Sequence, residues 1–148
     1  HAQSSGHVLD IAANELDVNL DDQIALLGYN ASDETVSPGD DLFLTLYWKA
    51  RRPLDIDYQV FVHVLDEQGN AVAQSDKLNP GEFPTRRWPT DKYVPDRHRL
   101  AIPEDLPPGN YTVAAGLWVQ SEGWRLPVLD GNGQQIGDRV SLFTLKVE

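Results

Sequence analysis

The stretch Leu106-Pro107-Pro108-Gly109-Asn110-Tyr111-Thr112-Val113-Ala114-Ala115-Gly116-Leu117-Trp118 contains a turn followed at once by a strand. Its two prolines fix φ and lack backbone donors, and Gly109 can take the positive φ that a tight turn often needs. From Tyr111 onward the residues alternate with a period of two, which predicts a strand with one face in a core. This pattern is typical of a β-sandwich, and it contains no catalytic motif.

Similar strand patterns, separated by turn residues, occur along most of the chain. Predicted strands lie at 23–29, 42–48, 58–65, 71–75, 97–103, 111–120, 124–129 and 140–147. Prolines at 80, 84, 89 and 95 discourage regular pairing between residues 76 and 96, where we expect a long ordered loop. No segment has a convincing helical pattern. We therefore predict an all-β fold, a two-sheet antiparallel immunoglobulin-like β-sandwich of roughly seven to nine strands.

The length of 148 residues is that of one domain. We assign residues 1–20 to a flexible leader or expression remnant plus a lead-in, because the start of the chain is mixed and polar. Residues 21–148 are predicted to form a single β-sandwich domain. The sequence has no Met, so we expect it to be a piece of a longer protein.

Composition limits the classes of partner. The net charge of −11 opposes binding to a polyanion, so we expect no nucleic acid partner. The sequence has no Cys, which excludes disulfides and thiolate metal sites. No apolar run approaches the roughly 18 residues of a spanning helix, so we expect no membrane insertion by this segment.

The candidate ligand-binding residues are aromatic and basic side chains, most of them near the proline-rich loop. Indole faces stack on sugar rings, and guanidinium groups recognise phosphate or carboxylate. The alternative is that the aromatic residues belong to the core and that the arginines pair with Asp91, Asp96 or Glu82. The candidates are Trp88, Arg86, Arg87, Tyr93 and Trp124.

Trp48 and Trp118 lie on predicted strands, and we expect both in the core. His63 and His98 lack a third ligand at metal-binding spacing, so we predict strand histidines that are satisfied by hydrogen bonds. The segment Asp130-Gly131-Asn132-Gly133 has oxygen ligands that suit calcium, but its Asp-Gly and Asn-Gly pairs favour a simple turn. We predict no metal site, no cofactor and no catalytic residues, because neither a nucleophile elbow nor a phosphate-binding loop occurs.

Five phrases taken together resemble those of a known group of domains. In this order they recur in immunoglobulin-like β-sandwich domains of bacterial envelope proteins, and they resemble the C-terminal domains of membrane glycosyltransferases of the dolichyl-phosphate-mannose mannosyltransferase type. The resemblance covers residues 23–148. The phrases are Pro38-Gly39-Asp40-Asp41-Leu42, the strand 58–66, Pro84-Thr85-Arg86-Arg87-Trp88, the turn 106–111 and the segment 125–130.

The resemblance implies a noncatalytic extracytoplasmic accessory domain of a membrane glycosyltransferase-like protein in the cell envelope. In such enzymes catalysis belongs to the membrane part, so the domain itself is not expected to be an enzyme. Carbohydrate or the parent membrane region is the expected contact. The alternative is a structural or protein-protein interaction domain of an envelope protein with no small-molecule ligand.

Overall fold

The computed structural model describes residues 12–148, which form a β-sandwich. Two short 3₁₀ turns, Pro80–Glu82 and Thr85–Arg87, lie in the loop between residues 77 and 94. The strands in this range are β1 (Asn14–Leu20), β2 (Ile24–Ala31), β3 (Thr35–Val36), β4 (Asp41–Ala50), β5 (Gln59–Leu65), β6 (Ala71–Lys77), β7 (Val94–Ala101), β8 (Gly109–Val119), β9 (Trp124–Arg125), β10 (Val128–Leu129), β11 (Gln135–Gly137) and β12 (Val140–Val147).

The strands form two sheets. Sheet 1 has the order β11-β10-β1-β2-β4-β7, and sheet 2 has the order β3-β12-β8-β5-β6, with β9 paired to β8. Neighbouring strands are antiparallel except for β3 and β12, which are parallel. Strand β6 is therefore an edge of sheet 2, and β7 is an edge of sheet 1.

The core lies between the sheets and follows the alternation of each strand. In β4, Leu42, Leu44, Leu46 and Trp48 are buried, and in β8 the buried set includes Val113 and Leu117. Such burial removes apolar surface from water at about 25 cal/mol per Å², which is the main stabilising contribution to folding. The interior therefore forms one continuous apolar cluster that joins both sheets.

The immunoglobulin-like β-sandwich predicted from the sequence is confirmed, but the number of strands was underestimated. Residues 12–148 contain twelve strands, and the difference comes mainly from pieces of two or three residues, β3, β9, β10 and β11. Such pieces are too short to show a period-two pattern. Residues 14–20 form β1, where Leu20 is buried, so the sandwich begins before residue 21. Residues 1–11, where most of the predicted leader falls, lie outside the described residues.

The turn that precedes β8 is held by a hydrogen bond to the first residues of that strand. The hydroxyl of Tyr111 donates a hydrogen bond to the carbonyl of Pro107 at 2.7 Å, which fixes the turn onto the strand that follows.

Strand β7 begins at Val94, earlier than predicted, and it includes Pro95. A proline is tolerated there because β7 is an edge strand.

Candidate functional site

Two of the five predicted ligand-binding residues are buried. Trp88 is 5% exposed, and its indole N–H donates to the carbonyl of Phe83 at 3.2 Å. Tyr93 is 8% exposed, and its ring meets the ring of Tyr47 edge to face. The loop that carries these residues folds back against the sandwich, where Trp88 joins the core between the sheets and Tyr93 packs in a separate small cluster with Tyr47 and Ala12. This burial removes Trp88 and Tyr93 from the candidate site.

The other predicted residues remain at the surface but do not form one patch with them. Arg86 is exposed and pairs with Asp57 at 3.1 Å, and this hydrogen-bonded pair lowers the pKa of the Asp57 carboxyl. Arg87 is exposed. Trp124 is 39% exposed, and its indole N–H donates to Glu122 at 2.9 Å. The predicted sugar-stacking surface is therefore not assembled from these five side chains.

A buried polar group joins the two sheets where their edge strands β6 and β7 meet. We call it the inter-sheet clamp, and its centre is Asp96, whose side chain is 0% exposed. One carboxylate oxygen accepts hydrogen bonds from Lys77 Nζ at 3.0 Å and from the backbone N–H of Gly81 at 3.0 Å. The other accepts from Trp48 Nε1 at 3.1 Å and contacts His98 Nε2 at 2.8 Å. The clamp consists of Trp48, Ser75, Lys77, Asp96 and His98.

Charge and hydrogen bonding keep Asp96 ionised. Burial by itself would raise the pKa of Asp96, but the hydrogen bond and charge of His98, the Gly81 amide and the Lys77 ammonium outweigh it, and the pKa is lowered. Nδ1 of His98 lies 2.8 Å from the Ser75 hydroxyl. In the neutral ring with its proton on Nε2, Nδ1 accepts from the Ser75 hydroxyl, whereas in the charged ring Nδ1–H donates to that hydroxyl.

Ser75, His98 and Asp96 are linked in the order of a nucleophile, a base and an orienting carboxylate. The position of the Ser75 hydroxyl determines whether these hydrogen bonds have a catalytic or a structural role. Ser75 pairs with Val62, whose side chain is fully buried, so Ser75 lies on the inner face of sheet 2 and faces the other sheet. The arrangement therefore holds the edge of sheet 2 against the edge of sheet 1.

The outer face of sheet 2 carries a separate cavity, which we call the outer hollow. Its volume is about 240 Å³. Strands β5 and β6 supply two residues each, β8 supplies one, and β9 supplies one. The lining residues are Phe61, His63, Gln74, Asp76, Trp118 and Arg125.

Trp118 is on the outer face rather than in the core, because it pairs with Gln59 and Arg125 at the end of β8. Its side chain is half-buried. The indole N–H is shielded from solvent, and it has no hydrogen-bond partner among the described residues. A buried N–H without an acceptor costs about 1–3 kcal/mol.

The floor and one wall of the outer hollow depend on Gly116. A Cβ at this position would lie 2.4 Å from Cζ of Phe61, so only glycine lets that ring lie flat against β8. The guanidinium of Arg125 sits 4.2 Å from the centre of the same ring, in a cation–π contact. Arg125 also reaches Asp138 at 3.4 Å. The Phe61 ring is 2% exposed, so the surface of this wall is the guanidinium rather than the ring.

His63 and Asp76 form the polar side of the outer hollow. Nε2 of His63 lies 3.8 Å from Asp76 Oδ1, which is too long for a hydrogen bond. Burial lowers the pKa of His63, Asp76 opposes that shift, and Arg125 and Arg139 add to it. His63 is therefore neutral at pH 7. Asp76 accepts one hydrogen bond, from Gln74 at 3.2 Å.

Within residues 12–148, no group of three or more His, Asp or Glu side chains is placed to hold a metal ion. The segment 130–133 is a turn, as predicted: Asp130 Oδ1 accepts from the backbone N–H groups of Asn132 and Gln134.

Across the described part of the chain, no helix is both long and apolar enough to span a bilayer.

Sequence reasoning missed both the clamp and the outer hollow, although alternation in β5 and β6 carries part of the signal. Gln74 and Asp76 alternate with Ser75 and Lys77, so two polar faces are visible in the sequence of β6. Asp76 lies opposite Phe61 because of the register between β6 and β5, and the sequence pattern of either strand does not give that register. The predicted arginine pairing occurs with different partners, Asp57 for Arg86 and Asp41 for Arg99.

Comparison with known proteins adds little about role. No protein-family model matches the sequence, and no curated protein matches it. Among solved structures, the chain is similar to a CARDB domain from Pyrococcus furiosus that was crystallised in complex with di-metal ions. The two are 10% identical, the match covers 88% of this chain and 94% of that one, and the TM-score is 0.49.

Proposed function

We propose that the domain is a noncatalytic accessory domain that contacts carbohydrate through the outer hollow. The observation that carries the proposal is the outer hollow itself, because its lining combines the half-buried indole of Trp118 with the guanidinium of Arg125 and the carboxylate of Asp76. Aromatic walls with a few placed polar groups are the usual composition of a small-ligand site.

The resemblance of the sequence to domains of membrane glycosyltransferase-like envelope proteins supports an extracytoplasmic setting for this role. In that setting the parent protein performs the chemistry, and this domain holds a sugar or polymer near it. The setting is tested by expressing the full-length parent and digesting intact spheroplasts with protease. Cleavage within this domain in intact spheroplasts supports the proposal, and protection until the membrane is broken contradicts it.

Carbohydrate contact is tested by screening the purified domain against a broad glycan array and confirming hits by calorimetry. We expect Trp118→Phe, which removes only the indole N–H and some ring area, to weaken any hit. The matched control is Trp124→Phe, because Trp124 is also exposed but lies outside the lining of the outer hollow. Binding that is lost equally in both variants, or in neither, contradicts the assignment to this cavity.

The competing function is a structural or protein-protein interaction domain. The observation that favours it is Leu78, which is 66% exposed at the end of edge strand β6, beside a surface depression that Gln59, Gln120 and Ser121 also line. An isolated exposed apolar residue is common, so this observation is weaker than the aromatic and charged lining of the outer hollow. Silence across the glycan array would favour this function.

A further inference from the structure

A second depression, which we call the edge groove, lies where the proline-rich loop folds against edge strand β7. Its volume is about 350 Å³, which falls in the range of about 300–1,000 Å³ usual for ligand sites. Strand β7 belongs to sheet 1, so the edge groove is separate from the outer hollow on sheet 2. The lining consists of residues 81–83, 89, 92–95 and 97.

The loop is held firmly against β7. Gly81 has a φ of +68°, and its backbone N–H donates to Asp96 of the clamp at 3.0 Å. A Cβ added to Gly81 would collide with Val94, so only glycine lets the loop come this close to the strand. Further along the loop, Lys49 Nζ donates to the carbonyl of Thr90 at 2.8 Å. The walls of the edge groove are therefore in place before a ligand binds, which lowers the entropic cost of binding.

The backbone of β7 beside the edge groove is not free to pair with an added strand. Pro95 has no N–H, and the carbonyl of Arg97 accepts from Lys77 Nζ at 2.8 Å. The carbonyl of Pro95 faces the loop, since a Cβ added to Gly81 would lie 3.2 Å from it. A ligand in the edge groove must therefore be recognised by side chains.

The accessible apolar side chains of the edge groove are Phe83, Pro89 and Pro95, each of which is half-buried. Tyr93 is 8% exposed and contributes to the floor. None of the described lining residues is Ser, Thr, Asn, Gln or His, so the lining offers few hydrogen bonds to the hydroxyls of a sugar. Such a surface suits an aliphatic or aromatic side chain of a peptide, whose burial removes apolar area from water.

The edge groove also carries positive charge. Lys92 and Arg97 are exposed, and neither side chain has a carboxylate partner among residues 12–148. Glu82 is the carboxylate of the lining, and its charge is balanced by Lys77 Nζ at 2.9 Å. The chain as a whole has a net charge of −11, so two unpaired cations beside one groove favour an acidic ligand at this place.

We propose that the edge groove binds an extended acidic peptide segment of another protein. An apolar side chain of the segment packs against Phe83 and the two prolines, and flanking carboxylates meet Lys92 and Arg97. A guanidinium binds a carboxylate through paired hydrogen bonds, whereas an ammonium acts as a point charge. This site lies on the other sheet from the outer hollow, so it is independent of the proposed carbohydrate contact.

The probe is a blocked hexapeptide of two central leucines with two glutamates on each side, titrated into the isotope-labelled chain and followed by amide NMR signals. We expect the shifts to concentrate at residues 81–83 and 92–97. Two control peptides replace the glutamates by lysines or the leucines by serines. Each control should bind about fivefold more weakly or less, because it lacks either the charge or the apolar contact.

Three variants test the charges. Arg97→Gln and Lys92→Gln each remove one cation, and Arg99→Gln is the matched control, since Arg99 is exposed on the same face of β7 but pairs with Asp41 at 2.9 Å outside the lining. Contacts between exposed charges are weak, so we expect each single loss to weaken binding by about threefold to fivefold, and both together by about tenfold or more. Melting curves establish that each variant is folded.

The outcomes distinguish location from chemistry. Amide shifts confined to other surfaces overturn the location. Equal affinity for the glutamate and lysine peptides, or a loss in Arg99→Gln as large as that in Arg97→Gln, overturns the recognition of acidic groups. Equal affinity for the serine peptide overturns the apolar contact. No binding of the glutamate and leucine peptide at millimolar concentration overturns the proposal, and it leaves the carbohydrate contact at the outer hollow standing.

Discussion

The inter-sheet clamp and the outer hollow use the same residue types, a Trp, a His, an Asp and a cation, yet their hydrogen bonds differ. In the clamp, Asp96 accepts from Trp48, and its other contacts fill both carboxylate oxygens. In the outer hollow, the indole N–H of Trp118 has no acceptor among the described residues, and His63 and Asp76 stay 3.8 Å apart.

One edge strand supplies polar residues to both places. Ser75 and Lys77 of β6 point to the clamp, whereas Gln74 and Asp76 point to the outer hollow. The difference teaches that residues of the same types hold two sheets together where their hydrogen bonds are complete, and stay loosely connected where the strands hold them too far apart.

The largest expected effect comes from removing the charge at the centre of the clamp. Asp96→Asn removes the buried carboxylate from the clamp, while Lys77 keeps Glu82 at 2.9 Å, so we expect a loss toward the lower end of the about 3–5 kcal/mol typical of a broken buried pair. Urea unfolding monitored by Trp fluorescence measures the loss. The matched control is Asp76→Asn, for which we expect a change within about 0.5 kcal/mol, as for a surface substitution. Equal losses in the two variants would contradict the contrast between the regions.

A smaller effect is expected from exchanging each indole for a phenyl ring. Trp48→Phe removes a donor from the buried carboxylate of Asp96, which should cost about 2 kcal/mol. Trp118→Phe removes an N–H that has no partner, and we expect a loss below about 1 kcal/mol. Unfolding free energies of both variants, measured side by side, check this order. A reversed order would mean that the N–H of Trp118 is satisfied in solution.

Acid should weaken the clamp, because its central carboxylate is ionised in the folded chain. The pKa of Asp96 is lowered in the folded chain, so the stability that it contributes is fully present above its unfolded value of about 3.9. That contribution is lost as the pH falls through the lower folded value. Unfolding free energies measured from pH 7 down to acid should fall less steeply for Asp96→Asn than for the native chain. Parallel curves would show that Asp96 is not the group that titrates.

The smallest effect is expected at the pair first predicted to bind a ligand. Arg86 is exposed and meets Asp57 at the surface, where ion pairs contribute little. Arg86→Ala should therefore be indistinguishable from the native chain in unfolding free energy. It should also leave sugar affinity unchanged, because Arg86 is outside the lining of the outer hollow. A loss of sugar affinity in Arg86→Ala would return the site to the proline-rich loop.

The fold was largely predictable because it depends on local signals. The turn before Tyr111 and the hairpin from Asp66 to Asn70 are encoded by proline, glycine and Asx chemistry within a few residues. Short strands such as β3 were missed because two residues show no period. The candidate site was not predictable, because Trp118 and Trp48 look alike in the sequence. Only their pairing partners place one on the outer face and the other in the core.

The side chains of β6 alternate between the clamp and the outer hollow, so local opening of this strand affects both places. Because β6 is an edge strand that pairs only with β5, it can detach without breaking the rest of sheet 2. Such an event would release Lys77 from Asp96 and remove Gln74 and Asp76 from the outer hollow at the same moment. The amides of residues 71–77 should then exchange with solvent deuterium through one shared opening, and a ligand held on the outer face would slow that exchange.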